Sequence, residues 1–156
     1  MRTRRQFLVL TGGLLASAAG QAQLPPNLAA LRKAALNEAV RKVTGDAQLR
    51  RGRVKLDLPP LIENGNAVPL AVRVDSPMTE ADHVRAIHVF TEKNPQPNVI
   101  GIQLGPRAGR ASVTTRARIA DTGTVIAVAQ MSDGSFWSDS VEVVVTLSAC
   151  LEDGLI

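Results

Sequence analysis

From residue 53 onward apolar and polar side chains alternate along the chain, whereas the stretch before it repeats every three to four residues. In RVKLDL, Val54, Leu56 and Leu58 share one face while Arg53, Lys55 and Asp57 take the other, which is the period of a strand with one face covered. Six further segments carry the same mark: AVPLAVRVD, VRAIHVFTE, VIGIQL, ASVTTRARIA, TVIAVAQM and SVEVVVTL. Between the strands stand ENGN, DSPMTEAD, KNPQPN, GPRAGR, DTG and SDGS, rich in the Gly, Pro, Asn and Asp that turns select. Seven short strands at fairly even spacing, with almost no helix among them, predict an all-β, antiparallel β-sandwich. The cysteine pair of true immunoglobulin domains is absent, since the chain has one cysteine.

The helical pattern falls in residues 23–46. Leu28, Leu31, Ala35, Ala39 and Val43 recur at helical spacing, Asn27 is placed to cap the helix after two prolines, and Gly45 is a natural stop. This N-terminal helix is expected to lie on a surface, either the domain's own or a partner's. At the other end, Val141, Val143, Val145 and Leu147 are expected to face the core, with Glu142, Val144, Thr146 and Ser148 opposite. Ser148 and Ala149 are small enough to let the chain leave the sheet. The lone cysteine, Cys150, then stands about 10 Å beyond Leu147 on an extended arm.

The first residues change the picture of charge. Arg2, Arg4 and Arg5 precede an apolar run over residues 7–15, then small residues over 16–22, the three regions of an export signal. The run is too short and glycine-broken to span a bilayer. TRRQFL further matches the twin-arginine signal, with Arg4 and Arg5 as the pair and Phe7 and Leu8 following. Removing residues 1–22 takes away three of the 18 basic residues and none of the 14 acidic ones, leaving a net charge of +1. The high pI therefore gives no ground for nucleic-acid binding, or for membrane insertion after cleavage. About 134 residues remain, enough for one domain. The expected organisation is a signal at 1–22, a helix at 23–46, a sandwich at 47–148 and a C-terminal arm at 149–156.

Candidate chemistry is sparse. An unpaired cysteine in an exported protein points to a reactive thiol or an intermolecular bond, the alternative being a small buried hydrophobe. Glu152 and Asp153 lie beside Cys150 and disfavour its thiolate. Arg107 and Arg110 flank the GPRAGR turn, and Arg116 and Arg118 sit on the outward face of the following strand. Together they form either a site for a sulfonate, a carboxylate or an acidic surface, or a solvated sheet face. His83 and His88 lack the companions of a metal site, and Trp137 reads as a packed turn aromatic. No nucleophile elbow or phosphate-binding loop occurs, so an enzyme acting alone is not expected, nor a cofactor.

Four stretches, GRVKLDLPPLIENGNAVPLAVRVDSPMT, IHVFTEKNPQPNV, GPRAGRASVTTRARIA and IAVAQMSDGSFWS, resemble the SoxY family of sulfur-carrier proteins. The more specific parts are ENGNAVPL, VDSPM, KNPQPNV and MSDGSFW. The resemblance implies an immunoglobulin-like sandwich in the periplasm, paired as a heterodimer with a SoxZ-like β-protein and exported with it in folded form. It implies a substrate-carrying subunit that is no enzyme itself and holds no metal or cofactor. Thiosulfate would be attached to Cys150 by a SoxAX-like haem protein and processed by SoxB- and SoxCD-like enzymes. One departure stands out: the family arm typically ends Gly-Gly-Cys-Gly-Gly, whereas here Ser148 and Ala149 precede the cysteine and LEDGLI follows it. Three readings stay open on these residues. They are a carrier loaded on Cys150, a non-catalytic interaction subunit that has lost the carrier arm, and a homodimer stapled through Cys150.

Overall fold

The computed structural model describes residues 26–148. Helix α1 (Pro26–Thr44) precedes nine strands among these residues. They are β1 (Leu49–Arg50), β2 (Val54–Asp57), β3 (Leu61–Asn64), β4 (Val68–Val74), β5 (Val84–Thr91), β6 (Asn98–Gln103), β7 (Ser112–Ala117), β8 (Gly123–Met131) and β9 (Phe136–Leu147). The larger sheet runs β1-β9-β8-β5-β6, with β3 along the far half of β9, and the smaller runs β2-β4-β7. The result is the expected immunoglobulin-like sandwich with an N-terminal helix. The expected export signal and the arm at 149–156 lie outside the described residues.

Burial along the strands tells the layers apart. β2 and β4 alternate buried and exposed almost residue by residue, because one face of the smaller sheet meets water. β5 and β8 are buried at most positions on both faces, as strands covered on two sides are. One cover is the smaller sheet: Leu56, Val72, Ile87, Val89, Val125 and Val143 belong to the core between the sheets. The other is α1, whose Leu36 packs with Phe90, Val128 and Phe136 on the outer face of the larger sheet.

The helix therefore lies on the domain's own surface, but along a different seam from the one its sequence suggests. Leu36 is buried and Ala39, Val40 and Val43 half-buried, whereas Leu31 is 61% exposed and Ala35 is also exposed. The seam is set by where Phe90, Val128 and Phe136 stand, which local spacing does not reveal. The helix starts at Pro26, so Asn27 sits inside the first turn rather than capping it. Gly45 ends it at φ 62°, its N–H donating to the Arg41 carbonyl at 2.7 Å, a backbone form that costs glycine least.

Two strands were not foreseen. β1 and β3 both pair in parallel with β9, Leu49 opposite Phe136 and Leu61 opposite Val144, so the sandwich is not wholly antiparallel. At two and four residues each, they are too short to show an alternation. β9 itself begins at Phe136, which puts Trp137 in a strand and not in a turn. The inward row of β9 closes at Val145, and Leu147 is 61% exposed. The cause is that β8 stops pairing at Gly123 opposite Val143, so the last residues of β9 run beyond the core.

Candidate functional site

The point where the chain leaves the sandwich is held on both sides. β3 runs along one edge of β9 from Val144 to Leu147. On the other edge, past the end of β8, the Thr122 hydroxyl takes over from the ladder. Its Oγ1 accepts from the Val145 N–H at 2.9 Å and donates to the Val145 carbonyl at 3.4 Å. The Gly65 N–H donates to the Leu147 carbonyl at 3.1 Å, and the Gly65 carbonyl accepts from the Ile119 N–H at 2.8 Å. That turn thereby joins the end of β9 to the segment after β7. Ser148 donates from Oγ to Asp121 Oδ1 at 3.3 Å. Cys150 lies outside the described residues, two positions past Ser148 and so within about 7 Å of it. Its base is thus anchored through Thr122, Gly65 and Asp121, three residues that period-two reading does not single out, because each acts across the fold.

Beside this root lies the loop of residues 92–98, the KNPQPN turn. Asn94 latches it: Nδ2 donates to the Arg118 carbonyl at 2.8 Å, and Oδ1 accepts from the Ala120 N–H at 2.8 Å. A surface depression of about 470 Å³ opens between the loop and the end of β7, with Asn94, Gln96, Asn98, Val99, Arg116 and Arg118 in its lining. The sequence grouped four arginines, and the structure splits them. Arg107 sits on a 3-10 turn, Pro106–Ala108, and Arg110 stands before β7 begins, while Arg116 and Arg118 stand at the far end of that strand. Arg116 stands six positions after Arg110, four of the residues between them in β7, so the two lie up to about 20 Å apart along the extended chain. Only Arg116 and Arg118 line the depression.

The remaining candidates are structural in their surroundings. Trp137 lies under two guanidiniums, Arg50 at 5.9 Å and Arg53 at 5.6 Å from the ring centroid, and donates from Nε1 to Ser135 Oγ at 3.1 Å. Arg53 also pairs with Asp82 at 3.0 Å. The side-chain and backbone hydrogen bonds from Ser135 hold the Asp133 carboxyl below its usual range, helped by Arg50 and Arg53. His83 donates from Nδ1 to the Thr79 carbonyl at 3.0 Å. His88 stacks on Phe90, centroids 6.1 Å apart, with Asn98 Nδ2 at 3.4 Å from its Nδ1. Burial lowers the His88 pKa below 6.5, partly offset by the Asn98 contact. Among the described residues no group of three His, Cys, Asp or Glu side chains could hold a metal ion. Nor is any described helix long and apolar enough to cross a membrane.

The described geometry is that of a rigid sandwich with a braced exit for the chain, and comparison with known proteins agrees with it. No curated protein matches the sequence. Among solved structures, the sulfur carrier protein SoxY from Chlorobium limicola f thiosulfatophilum superposes with a TM-score of 0.61 at 27% identity, covering 74% of this chain and 99% of that one. Superoxide reductase (neelaredoxin) from Ignicoccus hospitalis superposes with a TM-score of 0.54 at 17% identity, over 60% of this chain and 80% of that one. At that identity the likeness is one of fold. The family described as "Sulfur oxidation protein SoxY" matches residues 40–150, about seven-tenths of the chain and ending on its single cysteine, and this chain belongs to the SoxY family.

Proposed function

We propose that this protein is a covalent sulfur carrier of the periplasm, with the substrate held on Cys150. The observation that supports it most is the extent of the family match, which runs through the sandwich and past the root of β9 to residue 150. The bracing of that root by β3, Thr122 and Gly65 suits a domain that must present one thiol to several enzymes without rearranging its core.

The reading takes the following chemical form. A partner oxidase joins the outer sulfur of thiosulfate to the Cys150 sulfur, giving a cysteine S-thiosulfonate. Two electrons pass to the oxidase and the thiol proton is released. Further enzymes of SoxB and SoxCD type would act on the bound group, and a SoxZ-like subunit would complete the heterodimer. The carrier itself supplies position and a thiol, and is not the enzyme. Export through a twin-arginine signal in residues 1–22 belongs to the same proposal, since a partner lacking its own signal would need to travel with a folded chain.

A second reading is favoured by one feature of this chain. Ser148 stands where the family has a glycine, and it is tied to Asp121, which stiffens the first step of the arm. An interaction subunit without carrier chemistry would tolerate that.

Intact-mass measurement separates the two. The mature protein is taken from the periplasm with its bound partner, without reductant, before and after cells receive thiosulfate. A carrier gains a thiosulfate-dependent, reductant-labile mass on Cys150, and Cys150→Ser abolishes both the gain and sulfur oxidation while the fold stays intact. An unmodified thiol throughout, beside a stoichiometric partner, overturns the carrier reading in favour of the interaction subunit.

A further inference from the structure

We infer that the depression between the 92–98 loop and the end of β7 is a carboxylate-binding site, and that its occupant is the acidic segment of this chain just after the cysteine, Glu152 and Asp153. The inference does not depend on whether Cys150 carries sulfur.

The described lining of the site is positive. Among the described residues it contains two arginines, Arg116 and Arg118, and three side-chain amides, Asn94, Gln96 and Asn98, and no Asp or Glu. Among the described residues no hydrogen bond or ion pair engages the Arg116 guanidinium. Planar guanidinium forks with amide donors beside them match a carboxylate in shape and charge. The floor is held in place, because Asn94 ties the loop to the chain just after β7 through two hydrogen bonds at 2.8 Å. A site held open in this way needs little ordering when it binds.

The occupant is in reach. Ser148 touches Asp121, which lies three residues after Arg118, so the root of the arm and the wall of the depression are within about 10 Å along the chain. Glu152 is four residues past Ser148 and can extend about 13 Å from it. The acidic pair therefore reaches the wall of the depression. Attachment to the same chain gives the pair a high effective concentration at the site, so weak contacts suffice.

The test uses the full mature chain, a version ending after Cys150, and side-chain amide signals of Asn94, Gln96 and Asn98 in two-dimensional NMR. Truncation is expected to shift all three, and raising the salt from 20 mM to 500 mM is expected to move the full chain toward the truncated spectrum. Arg116→Glu is expected to reproduce the truncated spectrum with the remaining signals in place. Adding Glu152→Arg to that variant is expected to restore the original amide positions. Sulfate titrated at millimolar concentration should shift the truncated chain at several-fold lower concentration than the full chain, because the acidic segment competes. Identical spectra for the full and truncated chains, or equal sulfate responses in both, would overturn the assignment. So would an Arg116→Glu spectrum that Glu152→Arg leaves unchanged.

Discussion

Replacing Asn94 by alanine removes two hydrogen bonds that join the 92–98 loop to the chain after β7, and the two losses are unequal. The Arg118 carbonyl belongs to an exposed residue, so water can take the place of the amide and the cost is about 0.5 kcal/mol. The Ala120 N–H belongs to a residue only 2% exposed. Left without an acceptor, it costs about 1–3 kcal/mol. Asn94→Ala is therefore expected to destabilise the domain by about 2 kcal/mol. Asn94→Asp separates the contributions, since a carboxylate still accepts from Ala120 but gives the Arg118 carbonyl no donor. It should lose about a quarter as much. Urea unfolding of the mature domain measures both. With a slope of about 2 kcal/mol per molar, the alanine variant's midpoint should fall by about 1 M and the aspartate variant's by about 0.3 M. Equal losses in the two variants, or an alanine variant within 0.1 M of the parent, would show that the buried amide finds another partner and that the latch does not hold the loop.

Three further outcomes follow from the packing. Leu36→Ala should cost about 2–3 kcal/mol in urea unfolding, since Leu36 is 5% exposed against Phe90, Val128 and Phe136, while Leu31→Ala should stay within about 0.5 kcal/mol; equal losses would refute the seam. Thr91→Val should stabilise the domain by about 1 kcal/mol, because the Thr91 hydroxyl is buried with no hydrogen-bond partner among the described residues and a methyl group of the same shape avoids its desolvation; a lower midpoint would mean that the hydroxyl is paired. His88 has its folded pKa lowered from 6.5 by burial, so the unfolded chain binds the proton first as the solution is acidified. Its contribution is complete above about pH 6.5 and is lost as pH falls through the lowered folded value, and His88→Gln should flatten that part of the stability–pH curve.

The larger strands were legible in the sequence because one of their faces meets water. Val54, Leu56 and Leu58, or Val113 and Ala117, are sorted from their neighbours by solvent alone, and solvent acts on every residue locally. Gly45 as the helix stop is equally local, being a matter of one residue's backbone freedom. Family membership, too, was readable from the strings that join the strands, ENGNAVPL and MSDGSFW among them. What distant partners decide was not readable. Nothing near Leu31 or Leu36 says which of them meets Phe90, and nothing near Leu61 says that it lies beside Val144, 83 positions later in the chain. The inward row of β9 stops at Val145 because β8 ends, which is a property of the neighbouring strand. The four arginines form one group in sequence and two in space, since β7 carries Arg116 away from Arg110. A period of two or of 3.6 records which side of an element is covered; only the folded chain decides what covers it, and the braced root of the arm and the Arg116–Arg118 depression both arise from such coverings.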